Sequence, residues 1–579
     1  MRSLTGYPSI DKPWLKYYSE EAINAQLPAC TIYDYLYENN KDHLQDIALI
    51  YFKRKMTYGN LFQEIELVAK SLVGIGVKEN DVCTIVSLSC VNSVILFYAL
   101  NRIGAISNFV NVLASQEEIK GYIEESKSRY VMCLDLFLEK TLAGSSSDVE
   151  VISFSLSDYM PMQIRLAYDL KIGVGKFAAL KDNRITPWKK FLEFSNKVDE
   201  LPVTTRRADS VGVWTHTGGT TGFPKTVLHT DKAYNAVAMQ YKHCFGAKRG
   251  EVFLNIIVPF VVYGALTCLH MPLCLGVSVV LIPKFEADNW HTYFQTYRPN
   301  HIAGIPSYFI PMLSDSRLQN LNLSFVKSVS AGGDGLTEEI EKRINTFLSE
   351  HNSKAKLLRG YGMTEVGASA VTNFNSSSKV GSVGIPLPKN NVFVFNSERN
   401  CECIYGEANE ICLQSPSLMK EYKDNENATK ELLLVDSTGR KWIHTGDIGY
   451  VDEDGFVYII GRMKRVMFVG PEGMAYKVFP QKIEDTISKI PEVLEVCVVS
   501  NQVETGFVPV AYLSLKADSS KAKEEVVKEV QIKCKQCLPD YMQPFDVRIL
   551  DSLPKTSIGK VDFHLLECWE KSGSQAAEG

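Results

Sequence analysis

Apolar runs alternate with amphipathic segments through the first part of the chain. Runs such as 82–89 (VCTIVSLS) and 129–135 (RYVMCLD) are apolar over most of their length, which predicts strands buried on both faces. Between such runs, apolar residues recur at helical spacing, as at Leu61, Ile65 and Val68. Helices that alternate with buried strands predict parallel, doubly wound sheets, so the expected fold class is α/β.

The pattern changes twice toward the C-terminus. Residues at about 380–462 lose the helical spacing and become short strands and turns, which predicts a β subdomain. Beyond them a compact α+β pattern begins, in which Pro480 opens a helix. A chain of 579 residues exceeds the usual size of a single core. We therefore expect a large N-terminal domain over 1–462 and a small α+β C-terminal domain over 463–579.

Three stretches are less regular. Residues 142–160 are rich in serine and predict a surface loop, and 161–210 are weakly patterned. The stretch 252–283 contains no Asp, Glu, Lys or Arg, yet residues such as Pro259 and Gly264 divide it into short pieces. A helix and a buried strand inside a large core explain it better than a spanning helix, so we expect no transmembrane segment.

Composition and charge narrow the class of protein. The net charge of −5 argues against a nucleic-acid partner. The 14 cysteines are scattered without the paired spacing of a zinc site, which favours free thiols in a reducing compartment. Residues 1–25 carry charges throughout and no apolar core segment, so we expect no signal peptide and a cytoplasmic location.

The strongest chemical signal is the stretch 213–230, VWTHTGGTTGFPKTVLHT. Three glycines among threonines let backbone N–H and hydroxyl groups converge on a phosphate, and Lys225 adds a positive charge. The stretch is not a Walker loop, because Pro224 directly precedes the lysine. A helix capped by Thr230 or Asp231 should follow. The alternative is a Gly- and Thr-rich surface loop that binds nothing.

The motif TGGTTGFPK resembles the TSGTTGxPK loop of the adenylate-forming superfamily, which includes acyl-CoA synthetases, peptide-synthetase adenylation domains and beetle luciferases. Gly218 stands where the family usually has Ser, and Thr226 where it usually has Gly. Further motifs follow in the family's order: GGDG at 332–335, YGMTE at 361–365, TGD at 445–447, GR at 461–462 and PKTSIGKVD at 554–562. The resemblance implies an enzyme that uses ATP and Mg²⁺ to adenylate a carboxylic acid, releases pyrophosphate and passes the acyl group to CoA.

The resemblance also implies roles for individual residues. Lys560 would offset negative charge at the carboxylate and the α-phosphate, Thr364 would contact phosphate, and Glu365 would hold Mg²⁺. Asp447 would accept hydrogen bonds from the ribose, and Arg462 would add a ribose or phosphate contact. The residues expected to contact the nucleotide are Thr217, Gly218, Gly219, Thr220, Thr221, Gly222, Lys225, Gly332, Gly333, Asp334, Tyr361, Gly362, Thr364, Asp447, Arg462 and Lys560.

A second half-reaction is implied as well. The superfamily rotates its small domain after adenylation, so Lys464 would be the hinge of a mobile C-terminal domain. The segment 470–479, GPEGMAYKVF, is longer than the family pattern in a loop that usually helps to bind CoA. A free-standing ligase that loads a carrier protein is therefore the alternative to a CoA ligase.

The acid pocket is expected to be apolar, which favours a fatty or another apolar acid. Its lining would come from Val261, Val262, Tyr263, Gly264, Ile305, Ser307 and Ala331. An amino-acid-activating domain would need an acidic side chain near 255–265 to pair with the ammonium group, and this stretch has none. A relative that only binds nucleotide is disfavoured by the charged residues Lys225, Glu365, Asp447, Arg462 and Lys560. The His that is common in the family is absent from 259–264, so the chain length of the acid, and whether it is aliphatic or aromatic, stay open.

Overall fold

The apolar runs form the strands of two large sheets, as the α/β pattern predicts. A computed structural model describes residues 4–179, 182–217, 224–436, 439–470, 476–503, 506–517, 519–556 and 559–572. The first sheet has nine strands, with parallel strands at its centre and antiparallel pairs at its edges. In spatial order they are Ile385–Pro386, Val371–Thr372, Leu357–Tyr361, Ser328–Gly332, His301–Gly304, Val252–Asn255, Ser278–Leu281, Ile47–Tyr51 and Arg54–Thr57.

The second sheet has eight strands and carries the Gly- and Thr-rich loop. Its strands are parallel except where the strand after the loop pairs with both of its neighbours. In spatial order they are Glu421–Tyr422, Thr226–Thr230, Val211–His216, Ile106–Phe109, Val82–Val86, Tyr130–Leu134, Glu150–Phe154 and Ile185–Pro187.

Helices cover these sheets, and several begin as the sequence predicts. The Thr230 side chain caps the helix Asp231–Lys242, and Thr337 caps Glu338–Glu350. The α-helices are Pro8–Asp11, Glu20–Asn24, Ile32–Asn40, Tyr58–Ile75, Val91–Arg102, Gln116–Ser126, Leu138–Ala143, Met162–Ala179, Trp188–Glu193, Asp231–Lys242, Met271–Cys274, Trp290–Tyr297, Pro306–Phe309, Glu338–Glu350, Glu426–Leu432, Pro480–Ile487, Lys523–Cys537 and Phe563–Ser572.

The region expected to be a β subdomain is an antiparallel sheet. Its strands are Cys401–Glu402, Asn391–Asn396, Asn409–Gln414, Lys441–Val451 and Leu433–Val435, with Val457–Arg462 paired to Lys441–Val451. A short hairpin, Met467–Val469 with Tyr476–Val478, comes next. The last sheet contains Val493–Val503, Gly506–Leu515 and Asp546–Leu550, and it packs against helices in a core of its own.

Two stretches differ from expectation. The serine-rich stretch 142–160 is not a surface loop throughout, because its apolar residues form the largely buried strand Glu150–Phe154. The uncharged stretch 252–283 does contain buried strands and helical turns, but Tyr263–His270 is a π-helix that runs directly into Met271–Cys274. Among the described helices, none is both long enough and apolar enough to cross a bilayer. All 14 cysteines are free thiols, as predicted.

Candidate active site

The two stems of the Gly- and Thr-rich loop lie side by side. Val211–His216 enters the loop and the antiparallel strand Thr226–Thr230 leaves it. Thr217 N donates to Lys225 O, and Lys225 N donates to the Thr217 hydroxyl, each at 3.0 Å. These bonds close the base of the loop and leave the Lys225 side chain exposed. The expected phosphate ligands Gly218, Gly219, Thr220, Thr221 and Gly222 lie outside the described residues.

Thr226, which departs from the family pattern, joins both stems to their neighbours. Its hydroxyl lies 2.7 Å from Glu125 Oε2 and 3.0 Å from His216 Nδ1. His216 Nε2 lies 2.8 Å from Asn108 Oδ1 on the adjacent strand. Burial lowers the pKa of His216 to about 3, so the ring is neutral at physiological pH. The loop therefore starts from a base with a fixed arrangement of hydrogen bonds.

Glu365 is buried in the 3₁₀ turn Thr364–Val366, immediately beyond a strand of the first sheet. The Tyr422 hydroxyl donates to Glu365 Oε1 at 2.5 Å, and Lys225 Nζ lies 4.8 Å from the centre of the Tyr422 ring. Burial raises the pKa of Glu365, while the Tyr422 hydrogen bond and the charges of Arg462 and Lys225 lower it. A largely buried carboxylate beside two cations fits a site where Mg²⁺ also takes oxygens from phosphates.

Glycines bring the two central strand ends close together. Gly332 pairs with Gly360, so GGDG and YGMTE lie next to each other at the carboxyl edge of the sheet. Gly333 has φ +83°, a conformation that disfavours other residues. A Cβ on Gly362 would lie 2.0 Å from Ala368 O, which excludes any side chain there. The turn therefore presents backbone at the strand end, with Thr364 half-buried beside it.

Asp447 joins the β subdomain to this edge. Its buried carboxylate accepts a 2.6 Å hydrogen bond from the Tyr361 hydroxyl and lies 3.1 Å from Arg462 Nε. Asp447 and Arg462 are direct partners on adjacent strands. Burial raises the pKa of Asp447, and the nearby Arg462 charge opposes that shift. A carboxylate fixed in this way, beside a largely exposed guanidinium, suits the hydroxyl groups of a ribose.

Sequence reasoning missed the residues that hold the Asp447 turn. Glu410 Oε1 accepts a hydrogen bond from Gly446 N at 3.0 Å, and Glu410 Oε2 lies 2.8 Å from His444 Nδ1. Cys412 Sγ lies 3.6 Å from the same His444 nitrogen. Tyr422 was missed for a similar reason, since it lies 57 positions from Glu365 in the chain. These contacts join residues that are distant in the chain, and no local pattern marks them.

Lys560 reaches this edge from the C-terminal region. A Cβ added to Gly559 would lie 3.1 Å from Ile305 Cδ1, and Ser307 Oγ donates to Gly559 O at 3.4 Å. The loop therefore lies against the first sheet. Burial lowers the pKa of Lys560, and the nearby Asp334 and Asp447 carboxylates oppose this shift. Burial between the two regions raises the pKa of Asp334, and the positive charge of Lys560 opposes this shift.

The expected acid-pocket residues come from three elements near the same edge. Val262 is buried just before the π-helix, which begins with Tyr263. A Cβ on Gly264 would lie 2.2 Å from Val258 O, so the helix packs too closely there for a side chain. Ala331 is buried near the end of its strand, which pairs with the strand that leads to Ile305 and Ser307. A π-helical turn is rare and is frequently found at functional sites.

The predicted hinge residue Lys464 is exposed in the 3₁₀ turn Met463–Arg465, directly after Arg462. Its neighbour Arg465 is anchored, since Arg465 Nη2 donates to Glu484 Oε1 at 2.8 Å and to Val498 O at 3.2 Å. The turn thus separates a strand of the β subdomain from residues fixed to the last core. The hinge role of Lys464 stays a prediction.

Comparisons with known proteins agree with this geometry. The family model of the AMP-binding enzyme matches residues 36–423, and that of the AMP-binding enzyme C-terminal domain matches residues 482–560. The first match alone covers more than half of the chain. The chain therefore belongs to the AMP-binding enzyme family.

Similar curated proteins align over almost their whole length. The long-chain-fatty-acid–CoA ligase of Bacillus subtilis (strain 168) is 26% identical over 563 residues, which is 95% of this chain and 96% of that protein. The 4-coumarate–CoA ligase 1 of Arabidopsis thaliana is 24% identical and covers 92% of this chain and 91% of its own. With the family match, these relatives identify an AMP-forming acyl-CoA synthetase whose co-substrates are ATP and CoA. Mg²⁺ is a general requirement of the family.

Solved structures share the fold. The anthranilate CoA ligase AuaEII, in complex with anthranoyl-AMP, superposes with a TM-score of 0.81 at 19% identity over 95% of this chain and 99% of its own. A benzoate CoA ligase from Burkholderia xenovorans LB400 superposes with a TM-score of 0.77 at 21% identity, over 93% and 99%. These likenesses confirm the predicted α/β fold class, with a large N-terminal domain and a smaller C-terminal one.

Proposed function

We propose that this enzyme activates a fatty or other apolar carboxylic acid to an acyl adenylate and then transfers the acyl group to CoA. In the first step a carboxylate oxygen attacks the α-phosphorus of ATP, the bond to the bridging oxygen breaks, and pyrophosphate leaves. In the second, the CoA sulfur attacks the acyl carbon, its proton is lost, and AMP leaves. The observation that carries the proposal is the position of Lys560 beside Asp334 and Asp447, against the acid-pocket residue Ser307.

The residues of the site are suited to the first step by their charge. A carboxylate and a triphosphate repel each other, so catalysis depends on neutralising charge and fixing positions. Lys225 would neutralise phosphate at the base of its loop, and Lys560 would neutralise charge between the acid and the α-phosphate. Asp447 and Arg462 would hold the ribose, with Tyr361 beside the adenine. The negative charge of Asp334 would favour the ammonium form of Lys560.

Glu365 would hold Mg²⁺, with Thr364 contacting phosphate in the same turn. When it is bound, Mg²⁺ neutralises phosphate oxygens and orients them. Tyr422 fixes one oxygen of the Glu365 carboxylate, and its ring keeps Lys225 close. The carboxylate is thus oriented by the protein before any ligand arrives.

The composition of the acid pocket supports an apolar substrate. Val262, Ala331 and Ile305 are buried and apolar, and Gly264 and Ser307 add only small groups. No carboxylate occurs in the sequence 255–265, so the ammonium group of an amino acid would lack a partner there. The relatives include ligases named for a long-chain fatty acid and for 4-coumarate, which leaves an aliphatic and an aromatic tail as alternatives.

The second step would require the C-terminal domain to move. We place the domain boundary between Arg462 and Met463, with domains over 1–462 and 463–579 and Lys464 as the hinge. Lys560 would move away after adenylation, and the thiol would approach from the other face. Half of the lengthened segment 470–479, residues 471–475, lies outside the described residues. Experiment must therefore decide between CoA and a carrier protein as the acceptor.

Pyrophosphate release tests substrate and acceptor together. Purified enzyme with ATP and Mg²⁺ would be given fatty acids of increasing length, aromatic acids and amino acids, each with and without CoA. We expect the highest kcat/KM for an apolar acid, and formation of its CoA thioester. A preference for amino acids would contradict the proposed substrate. Acyl-AMP that accumulates despite CoA would point to a carrier protein as acceptor.

A further inference from the structure

One helix carries apolar side chains on its outer face. The helix Met162–Ala179 follows the 3₁₀ turn Leu156–Tyr159 and is 18 residues long. Met162, Leu166 and Leu170 are spaced four residues apart and therefore lie on one side of the helix. Their exposed fractions are 77%, 60% and 81%. Three large apolar side chains in a row, open to water, are unusual on a protein that acts alone.

Two contacts anchor this helix to the large domain. Asp169 Oδ1 accepts a 2.7 Å hydrogen bond from the Ser157 hydroxyl, and Asp169 Oδ2 lies 3.6 Å from Arg165 Nε. Tyr168 packs against the main apolar core. The helix is therefore held against the large domain by Asp169 and Tyr168, while Met162, Leu166 and Leu170 stay exposed.

A basic hairpin borders the helix. The strands Ile47–Tyr51 and Arg54–Thr57 are joined by a tight turn, and Lys53, Arg54 and Lys55 are all exposed. Arg54 Nη1 lies 3.5 Å from Tyr159 O, and the Tyr51 hydroxyl donates to Leu156 O at 3.0 Å, which fixes the hairpin beside the start of the helix. Within the described residues, no carboxylate forms an ion pair with these three basic side chains.

The acidic groups next to the hairpin have other partners. Glu64 Oε2 accepts a 2.7 Å hydrogen bond from the Tyr159 hydroxyl, and Asp158 is bonded to Ser155 N and Asn92. Within the described residues Lys53, Arg54 and Lys55 are exposed and form no ion pair, although the whole chain carries a net charge of −5. A local basic cluster beside an exposed apolar stripe has the composition of a membrane-surface element.

We propose that Met162, Leu166 and Leu170, together with Lys53, Arg54 and Lys55, form a docking face for the surface of an anionic lipid bilayer. The leucines and the methionine enter the boundary between headgroups and acyl chains, and the basic side chains contact phosphate groups. A protein partner would have to match both an apolar ridge and a basic cluster, whereas a bilayer supplies both features in adjacent layers. The helix lies on the membrane and does not cross it.

The helix of the docking face and the proposed acid pocket pack against the same large apolar core. Tyr168 and Val261 pack against the same apolar core, and the Ser89 hydroxyl, at the loop after a strand of the second sheet, donates to Ile257 O at 3.2 Å. Ile257 Cγ2 would lie 3.0 Å from a Cβ on Gly264. Membrane binding itself needs no turnover, so the docking face and the proposed substrate are tested separately.

Vesicle sedimentation tests the docking face. The full chain would be mixed with vesicles of phosphatidylcholine alone or with phosphatidylglycerol, at low and high salt. We expect binding to the anionic vesicles only, weakened by salt. Lys53→Gln with Lys55→Gln should weaken it about thirtyfold, from the contribution of each basic residue near a charged surface. Leu166→Glu with Leu170→Glu should abolish it.

The matched control is Ile532→Glu, which places a charge at another apolar residue that is 58% exposed on a helix of the C-terminal region. This variant should bind vesicles like the unaltered chain. Each variant should keep its rate with a water-soluble acid, which shows that it is folded. Equal weakening by Ile532→Glu, or no binding by the unaltered chain, would overturn the proposal. So would light scattering that shows a dimer lost in the leucine variant while vesicle binding persists.

Discussion

The nucleotide side and the acid side of the site are built in different ways. On the nucleotide side, charged residues are fixed by polar contacts of defined length, such as Tyr422 to Glu365 at 2.5 Å and Tyr361 to Asp447 at 2.6 Å. On the acid side, the residues are apolar or small, and the shape comes from close backbone packing at Gly264. The nucleotide side would select its substrate by charge, and the acid side would select its substrate by volume. Substitutions on the two sides should therefore have separable effects on ATP and on the acid.

Lys560 stands where both sides meet, so Lys560→Ala should have the largest effect. Loss of a cation at a developing negative charge should lower kcat for adenylation about 10²–10³-fold. ATP binding should change little, because most of the expected nucleotide contacts lie on other residues. Acid-dependent pyrophosphate exchange gives the rate, and calorimetry gives the affinity for ATP. The control Lys555→Ala removes a cation that pairs with Glu495 in the same segment, and it should have a much smaller effect. Unchanged exchange in Lys560→Ala would refute the role of Lys560.

Asp447→Asn should affect only the nucleotide side. The variant loses the charge that holds Tyr361 and Arg462, and hydrogen bonds to charged groups contribute about 1.5–3 kcal/mol. KM for ATP should therefore rise by about 10–100-fold, while KM for the acid stays the same. Asp454→Asn is the control, since Asp454 forms ion pairs with Lys16 and Lys379 outside the site. An equal rise in both KM values would show that the two sides are not separable.

Gly264→Ala should affect the acid side. The added Cβ would meet Val258 O at 2.2 Å, so the π-helix must shift and the pocket must change shape. Strain of this kind costs about 1–3 kcal/mol, and kcat/KM for the acid should fall about tenfold. KM for ATP should be unchanged. A thermal unfolding curve distinguishes a displaced pocket from a loss of folded protein, and a variant that is folded with an unaltered acid preference would contradict the assignment.

Tyr422→Phe should give the smallest change. The ring stays near Lys225, but the hydrogen bond to Glu365 is lost. This loss costs about 1 kcal/mol of binding free energy, which corresponds to about a fivefold change in affinity. We expect the Mg²⁺ concentration for half-maximal activity to rise by that factor, with no change in KM for the acid. Direct titration of Mg²⁺ with ATP bound supplies a readout besides activity. Tyr405→Phe, which removes a comparable bond to Asp11, should leave both titrations unchanged.

The fold was largely predictable because buried strands and helices have different periods. The helix Tyr58–Ile75 and the strand Tyr130–Leu134 are close to where the pattern places them. The strand Glu150–Phe154 was missed, since flanking serines hid a short apolar run. The π-helix was not predicted, because no pattern in the local sequence distinguished it from an ordinary helix.

Site residues that belong to short sequence motifs could be predicted, whereas residues whose contacts are distant in the chain could not. The glycine at 362 and the acids at 365 and 447 belong to short motifs, and the structure brings Lys560 to the same edge. Tyr422, Glu410 and His444 have partners that are distant in the chain, so only the folded structure reveals them. The roles of the site residues stay predictions until the variants above are measured.

The contact between Gly559 and Ile305 has a consequence for the order in which substrates bind. A loop in this position would block the approach from that side, so we expect the acid and ATP to bind before the loop takes up this position. We expect the thiol to bind only after pyrophosphate has left and the loop has withdrawn. Initial velocities should therefore follow a ping-pong pattern, with CoA as the last reactant to enter.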